Sequence, residues 1–176
     1  MLPDVSRLRV RELLQVEASV VVELRQRGLV RTNNKPLGDI AEQVVLSARG
    51  GVLEPNSTKS HDVTDPGGRR IQVKAMGGRA AGKAGKFSPF RSFDFDIAVF
   101  LVFEFQTFEL AFAREVSAND VEAVSPYSVH TNGRQPTLRQ IENAGIDVTD
   151  EMRAAYAALD GDVMEFRNGL TSGGKK

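Results

Sequence analysis

Asp62, Gln72 and Lys74 are the residues of this chain whose types and spacing most suggest chemistry. In Gln72-Val73-Lys74 the two polar side chains fall on one face of an extended strand, about 7 Å apart. Ile71, Val73 and Ala75 alternate on the other face. Asp62 stands earlier, across the turn Asp65-Pro66-Gly67-Gly68, and a short hairpin brings Asp62 or Asp65 beside that strand. A carboxylate and an amide oxygen are hard donors of the kind Mg²⁺ takes, usually while it keeps several waters. A lysine beside them can neutralise charge on a scissile phosphate or position the attacking water. The plain alternative is a solvated strand face, where Gln and Lys are ordinary.

The charge around this stretch adds to the question. From Pro66 to Phe93 there are seven basic residues, Arg69, Arg70, Lys74, Arg79, Lys83, Lys86 and Arg91, and no acid. Such a run can follow a phosphate backbone without reading bases, and equally it can keep a loop solvated. Within it, Gly77-Gly78-Arg79-Ala80-Ala81-Gly82-Lys83-Ala84 falls short of a nucleotide-binding phosphate loop. Ala84 stands where a hydroxyl must meet magnesium, and Gly85, Ser88 and Pro89 oppose the helix that has to follow. Asp94 and Asp96 precede an apolar run and read first as strand-end acids. His61 reads as structural or as a phosphate contact, and Asn132-Gly133 in the loop from His130 to Arg134 reads equally as a turn or as a nucleic-acid contact.

Composition bounds these readings. Lysine plus arginine and aspartate plus glutamate both number 23 in 176 residues, so wholesale polyanion binding is not indicated, although a local patch is compatible with zero net charge. There is no cysteine and there are only two histidines, which excludes thiolate sites and leaves no multi-histidine zinc centre. No segment approaches the ~18 to 20 apolar residues of a membrane span, and the N-terminus lacks an apolar signal core. The expected setting is the cytoplasm, with no membrane partner.

The elements that must position these residues follow from periodicity. Val10, Leu14, Ala18, Val21 and Leu24 predict a first helix, capped by Ser6, reaching Arg27 and stopped by Gly28. Arg31 to Pro36 reads as a polar loop. A second helix over Leu37 to Ala48 would turn Ala41, Val44, Val45 and Ala48 inward and end at Gly50-Gly51. Short strands are expected around Val52 to Glu54 and His61 to Thr64, then a longer one from Arg70 to Met76. Gly77 to Pro89 reads as a long mobile loop. Ile97 to Phe103 has the continuous apolar character of a strand covered on both faces, and Phe108 to Phe112 alternates and should pair back antiparallel. Ser117, helped by Asp120, should cap a short helix. Pro126 to Pro136 reads as loop, with helical pieces from Thr137 and from Thr149 to Leu159, then a frayed tail from Leu170.

In this order the residues resemble the PD-(D/E)xK restriction-endonuclease-like superfamily, whose pattern is a helix acid, an Asp at a strand end and (D/E)-x-K on the next strand. The run LGDIAEQVV…LEPNSTKSHDVTD…GRRIQVKA…FDFDIAVF is similar to bacterial members of it, over about residues 37 to 116. The resemblance implies an α/β fold with a mixed sheet of about five strands flanked by helices, in a single domain. That domain divides into an N-terminal helix and loop (1–36), a nuclease-like core (37–116), a C-terminal helical elaboration (117–169) and a tail (170–176). It implies a Mg²⁺-dependent endonuclease acting on DNA, with Mn²⁺ able to substitute. Glu42 matches the helix acid, Asp62 the metal-binding Asp, Gln72 the second acid and Lys74 the motif lysine. One metal would be held by Asp62, the Gln72 oxygen and the Val73 carbonyl, while Arg69, Arg70, Arg79, Lys83, Lys86 and Arg91 would hold the DNA backbone. Gln72 departs from the pattern, where Asp or Glu is usual, and it favours the alternative of a catalytically inactive module that binds nucleic acid or a protein partner. A homodimer suits a double-strand cutter.

Overall fold

The computed structural model describes residues 4–32, 35–56, 58, 60–77, 85–104 and 107–160. Two compact units are distinguished, Met1–Ile40 and Ala41–Lys176. In the first, helix α1 spans Val10–Gln26, and none of its residues is buried. It starts later than Ser6 because the Arg9 N–H is met by the Glu12 carboxylate at 2.7 Å, whereas the Ser6 N–H donates to Asp4. Gly28 ends it at φ +71°, the left-handed conformation that glycine adopts without a Cβ penalty. The N–H groups of Arg31 and Thr32 donate to the Asp39 carboxylate.

Helix α2, Leu37–Arg49, runs into the second unit with Ala41, Val44 and Val45 buried, the three- and four-residue spacing read from the sequence. The second unit is an α/β fold around a mixed six-stranded sheet. Its strands are β1 (Val52–Leu53), β2 (Val63–Thr64), β3 (Arg70–Gly77), β4 (Ile97–Phe103), β5 (Leu110–Ser117) and, after the next elements, β8 (Ile146–Asp147), in the order β1-β2-β3-β4-β5-β8. β3 and β4 are parallel and every other pair is antiparallel. Helix α3 (Ala118–Val124) is capped by Ser117, whose hydroxyl accepts from the Asp120 N–H. A small second sheet pairs β6 (Tyr127–Ser128) with β7 (Gly133–Arg134), α4 (Leu138–Glu142) and α5 (Thr149–Ala158) are the last helices among the described residues, and the tail read from Leu170 lies outside them. Among the described residues, no helix is long and apolar enough to cross a membrane.

Three expectations need correction. Two more short pairings than expected occur: β8 adds to the edge at β5, and the segment read as a loop from Pro126 to Pro136 turns at Asn132 (φ +46°) and pairs on itself. The last long strand starts at Leu110 and runs to Ser117, with Phe108 in the turn before it at φ +55°. Of the mobile loop expected from Gly77 to Pro89, residues 78–84 lie outside the described residues, and 85–89 are held in place: Phe87 is buried, the Phe87 N–H donates to the Pro136 carbonyl, and Gln135 donates back to the Phe87 carbonyl. Phenylalanines in a polar-looking sequence bring that segment down, through edge contact between Phe87 and Phe100 of β4 at 4.8 Å.

The sheet is covered on both faces. Ala98, Phe100, Val102 and Val116 meet Phe87, Phe90, Phe95, Val121 and Ile141 in one aromatic-rich cluster. The alternate residues face the other way, where Phe103 makes edge contact with Tyr156 of α5 at 5.4 Å. There Glu115 of β5 receives the Arg49 guanidinium of α2 at 2.6 Å, and Arg49 also reaches Glu151 of α5 at 2.9 Å.

Candidate functional site

The hairpin of β2 and β3 brings Asp62 to Gln72 because the β2–β3 register pairs Val63 with Ile71, and the next position outward sets these two side by side. The Asp62 Oδ2 accepts from Gln72 Nε2 at 2.5 Å and from the Val73 N–H at 2.7 Å. The Asp62 N–H in turn donates to the Ile71 carbonyl. Gln72 and Lys74 register with Ala98 and Phe100 of β4, on the aromatic face of the sheet, whereas Ile71 and Val73 are buried opposite.

Lys74 is sheltered. Its Nζ stands 4.7 Å from the centre of the Phe90 ring and 3.5 Å from the Pro89 carbonyl. Burial pulls its pKa below the ordinary lysine value, Asp62 pulls it back up, and Arg91 lowers it further. Beside it opens a cleft of about 300 Å³ lined by Gln72, Lys74, Ser88, Pro89, Phe90, Arg91 and Ser92. Two cations, two hydroxyls and an amide around one hollow can receive a phosphate oxygen. A larger hollow of about 610 Å³ lies at the other end of the sheet, between the turn before β5 and α5. Its rim carries Glu104, Glu109 and Asp160, and its arginine, Arg153, already donates to the Leu110 and Ala111 carbonyls. That balance does not favour a polyanion.

The other residues singled out in the sequence are distributed as follows. Glu42 is half-buried on α2, a helix whose Arg49 is bound to Glu115 on the face opposite Gln72 and Lys74. Val73 enters the site through its N–H, not its carbonyl. Arg69 is engaged with Asp65 at 2.7 Å, and Arg70 is bound to Asp94 and Asp96. Both guanidinium pKa values are raised, chiefly by the side-chain hydrogen bonds to Asp65 and to Asp96. These two arginines are neutralised within the fold, while Arg91 and Lys86 are exposed. Arg79 and Lys83 lie outside the described residues. Asp94 and Asp96 act as strand-end acids toward Arg70. Asp65 accepts from the Gly67 and Arg69 N–H groups, the turn bonding its position predicts. His61 is held structurally: Nδ1 is 2.8 Å from Ser60 Oγ and Nε2 is 3.0 Å from Thr64 Oγ1. In the loop at His130, Arg134 donates to the Ser125 carbonyl.

Sequence reasoning missed Ser88, Phe90 and Ser92. The signal was there in Phe90, Phe93 and Phe95, whose rings pack on one another, and in Phe87, whose ring meets Phe100, but no strand or helix period marked it. Among the described residues, no three of His, Asp and Glu gather as a ready cation cage. The donor set at Asp62 suits at most one hard cation, with the amide oxygen of Gln72 as its second protein ligand. No protein-family model and no curated protein matches the chain.

Proposed function

We propose that this protein is a Mg²⁺-dependent nuclease of restriction-endonuclease-like fold that hydrolyses phosphodiester bonds in DNA. One observation carries the reading: Gln72 and Lys74 line a cleft together with Arg91 and two serines, and Asp62, brought across a turn, is hydrogen-bonded to Gln72 beside it. A sheltered lysine beside a carboxylate, at the end of a positively charged hollow, is a useful arrangement for polarising a phosphodiester and of little evident use to stability alone.

Asp62 and the amide oxygen of Gln72 would hold Mg²⁺, or Mn²⁺ in its place, which supplies positive charge to the phosphate and acidifies a bound water. Lys74 would donate an ammonium N–H to a non-bridging phosphate oxygen and orient the attacking water. Burial against Phe90 strengthens that interaction by excluding solvent. Arg91 and Lys86, both exposed, neutralise the neighbouring phosphates, with Arg79 and Lys83 on the adjoining segment as further contacts. Glu42, which the resemblance assigns to orienting water, sits on α2, whose Arg49 is held on the opposite face of the sheet, and no step is routed through it. A two-fold dimer would present two such sites to two strands, and the cytoplasm is the setting that suits a cysteine-free DNA enzyme.

The test is cleavage of supercoiled and linear DNA with Mg²⁺ or Mn²⁺ by the parent, Asp62→Ala and Lys74→Ala proteins. The reading expects cutting by the parent and a loss of roughly 100-fold or more in each variant, the scale of removing one preorganised charge from a transition state. A Lys74→Ala protein that cuts as fast as the parent overturns it. The second reading, a nuclease-fold module that binds without cutting, is favoured by a specific observation: Gln72 supplies no negative charge and gives its N–H to Asp62. Salt-sensitive DNA binding with no cleavage in either ion would support that alternative.

A further inference from the structure

Gln72 faces Asp62 with its nitrogen. At 2.5 Å from Asp62 Oδ2, the Gln72 Nε2 supplies the proton that a carboxylate oxygen requires in the absence of a cation. With Oε1 turned inward, two oxygens would meet at hydrogen-bond distance with no proton between them, which is repulsive unless a cation lies there. The same carboxylate oxygen also accepts from the Val73 N–H at 2.7 Å, so it is already served by two donors. A metal ligand and a hydrogen-bond donor are opposite demands on one amide. Nitrogen and oxygen ends have nearly the same size and exchange by a half-turn about the last side-chain bond. Gln72 lines the cleft of about 300 Å³ and is half-buried there.

Resting on the nuclease reading, we infer that Gln72 is a reversible latch on Asp62: its amide N–H occupies the carboxylate in the cation-free protein, and the amide turns end for end to offer Oε1 when a divalent cation is bound. A glutamate there would be a standing ligand with no donor to withdraw. The latch satisfies Asp62 without a metal and makes every binding event give up one charge-assisted hydrogen bond. The site therefore binds the dication less tightly than a two-carboxylate site would.

The test is a Mg²⁺ titration of the full chain followed in ¹H–¹⁵N spectra, with the Gln72 side-chain amide pair assigned by its disappearance in Gln72→Glu. The expected result is that this pair moves in step with the Val73 backbone amide as Mg²⁺ is added. Gln72→Glu should also bind Mg²⁺ roughly 10- to 100-fold more tightly, the equivalent of one hydrogen bond to a charged group. Three results overturn the inference: saturation at Val73 with the Gln72 pair unmoved, no gain in affinity in Gln72→Glu, or no binding by either protein. If Gln72→Glu does not fold, the parent's Gln72 resonances decide alone. DNA cleavage by the same samples separates the two ideas. A turning amide without cutting leaves the latch and removes the nuclease, whereas cutting with a motionless amide does the reverse.

Discussion

Replacing Asp62 by alanine should destabilise the fold whatever the protein's activity. The Val73 N–H, in the middle of β3, and the Gln72 amide both donate to Asp62 Oδ2, at 2.7 and 2.5 Å. Each hydrogen bond to a charged group is worth about 1.5–3 kcal/mol, and a buried donor left without an acceptor costs about 1–3 kcal/mol. Gln72 lines a cleft and can turn to water, so most of its loss is recovered; Val73 is 9% exposed and cannot. The net cost in Asp62→Ala is therefore about 2–4 kcal/mol, a large part of a typical stability of about 5–15 kcal/mol. Asp62→Asn keeps an oxygen for the Val73 N–H and loses only the charge, and about 1 kcal/mol is expected. Urea unfolding followed by circular dichroism measures both, with an unchanged slope showing that stability and not compactness has changed. An Asp62→Ala protein within about 0.5 kcal/mol of the parent, the range of neutral surface changes, would refute the reasoning that Asp62 organises the start of β3.

Other perturbations test separate parts of the structure. Gly51→Ala should cost about 2–4 kcal/mol in a urea titration, because Gly51 sits at φ +94° and a Cβ there falls onto the Thr64 carbonyl. Lys74→Met should leave stability at pH 7 equal or higher, since burial disfavours the ammonium. Because the folded pKa of Lys74 lies below its ordinary value of 10.5, the parent binds fewer protons folded than unfolded in that window. Its stability should rise with pH there relative to Lys74→Met, and parallel curves would exclude this. Asp65 has the opposite sense: the Arg69 side-chain hydrogen bond, then its backbone N–H, holds its pKa below 3.8. Its contribution is complete above 3.8 and is lost as pH falls through the lower folded value, so an Asp65→Asn protein should show a flatter acid decline in urea midpoint.

The β3 strand shows what local sequence can settle. Ile71 and Val73 against Gln72 and Lys74 is a two-residue period, and the period alone assigns buried and polar faces. The continuous apolar run of β4, the spacing of Ala41, Val44 and Val45, the cap at Ser117 and the helical piece from Thr137 were legible for the same reason: each depends on neighbours a few residues away. The convergence of Asp62 and Gln72 was legible through a short turn whose length limits where the two strands can pair. Chain proximity does not govern the rest. Whether a basic side chain is available to a ligand depends on which acid lies across a strand. Arg70 is taken by Asp94 and Asp96, and Arg69 by Asp65 with Glu115 at 4.0 Å beyond it, while Arg91 stays at the cleft rim. The segment before β4 looked polar because serines, lysines and glycines outnumber its phenylalanines, yet burial of Phe87 and Phe90 against Phe100 decides its path. The orientation of the Gln72 amide could not come from sequence either, because it is set by a carboxylate just before β2 and not by any near neighbour in the chain. Local pattern determined which residues face together; the pairing of charges and donors across strands, which only the tertiary structure brings within 3 Å or so, determined which of them are already occupied.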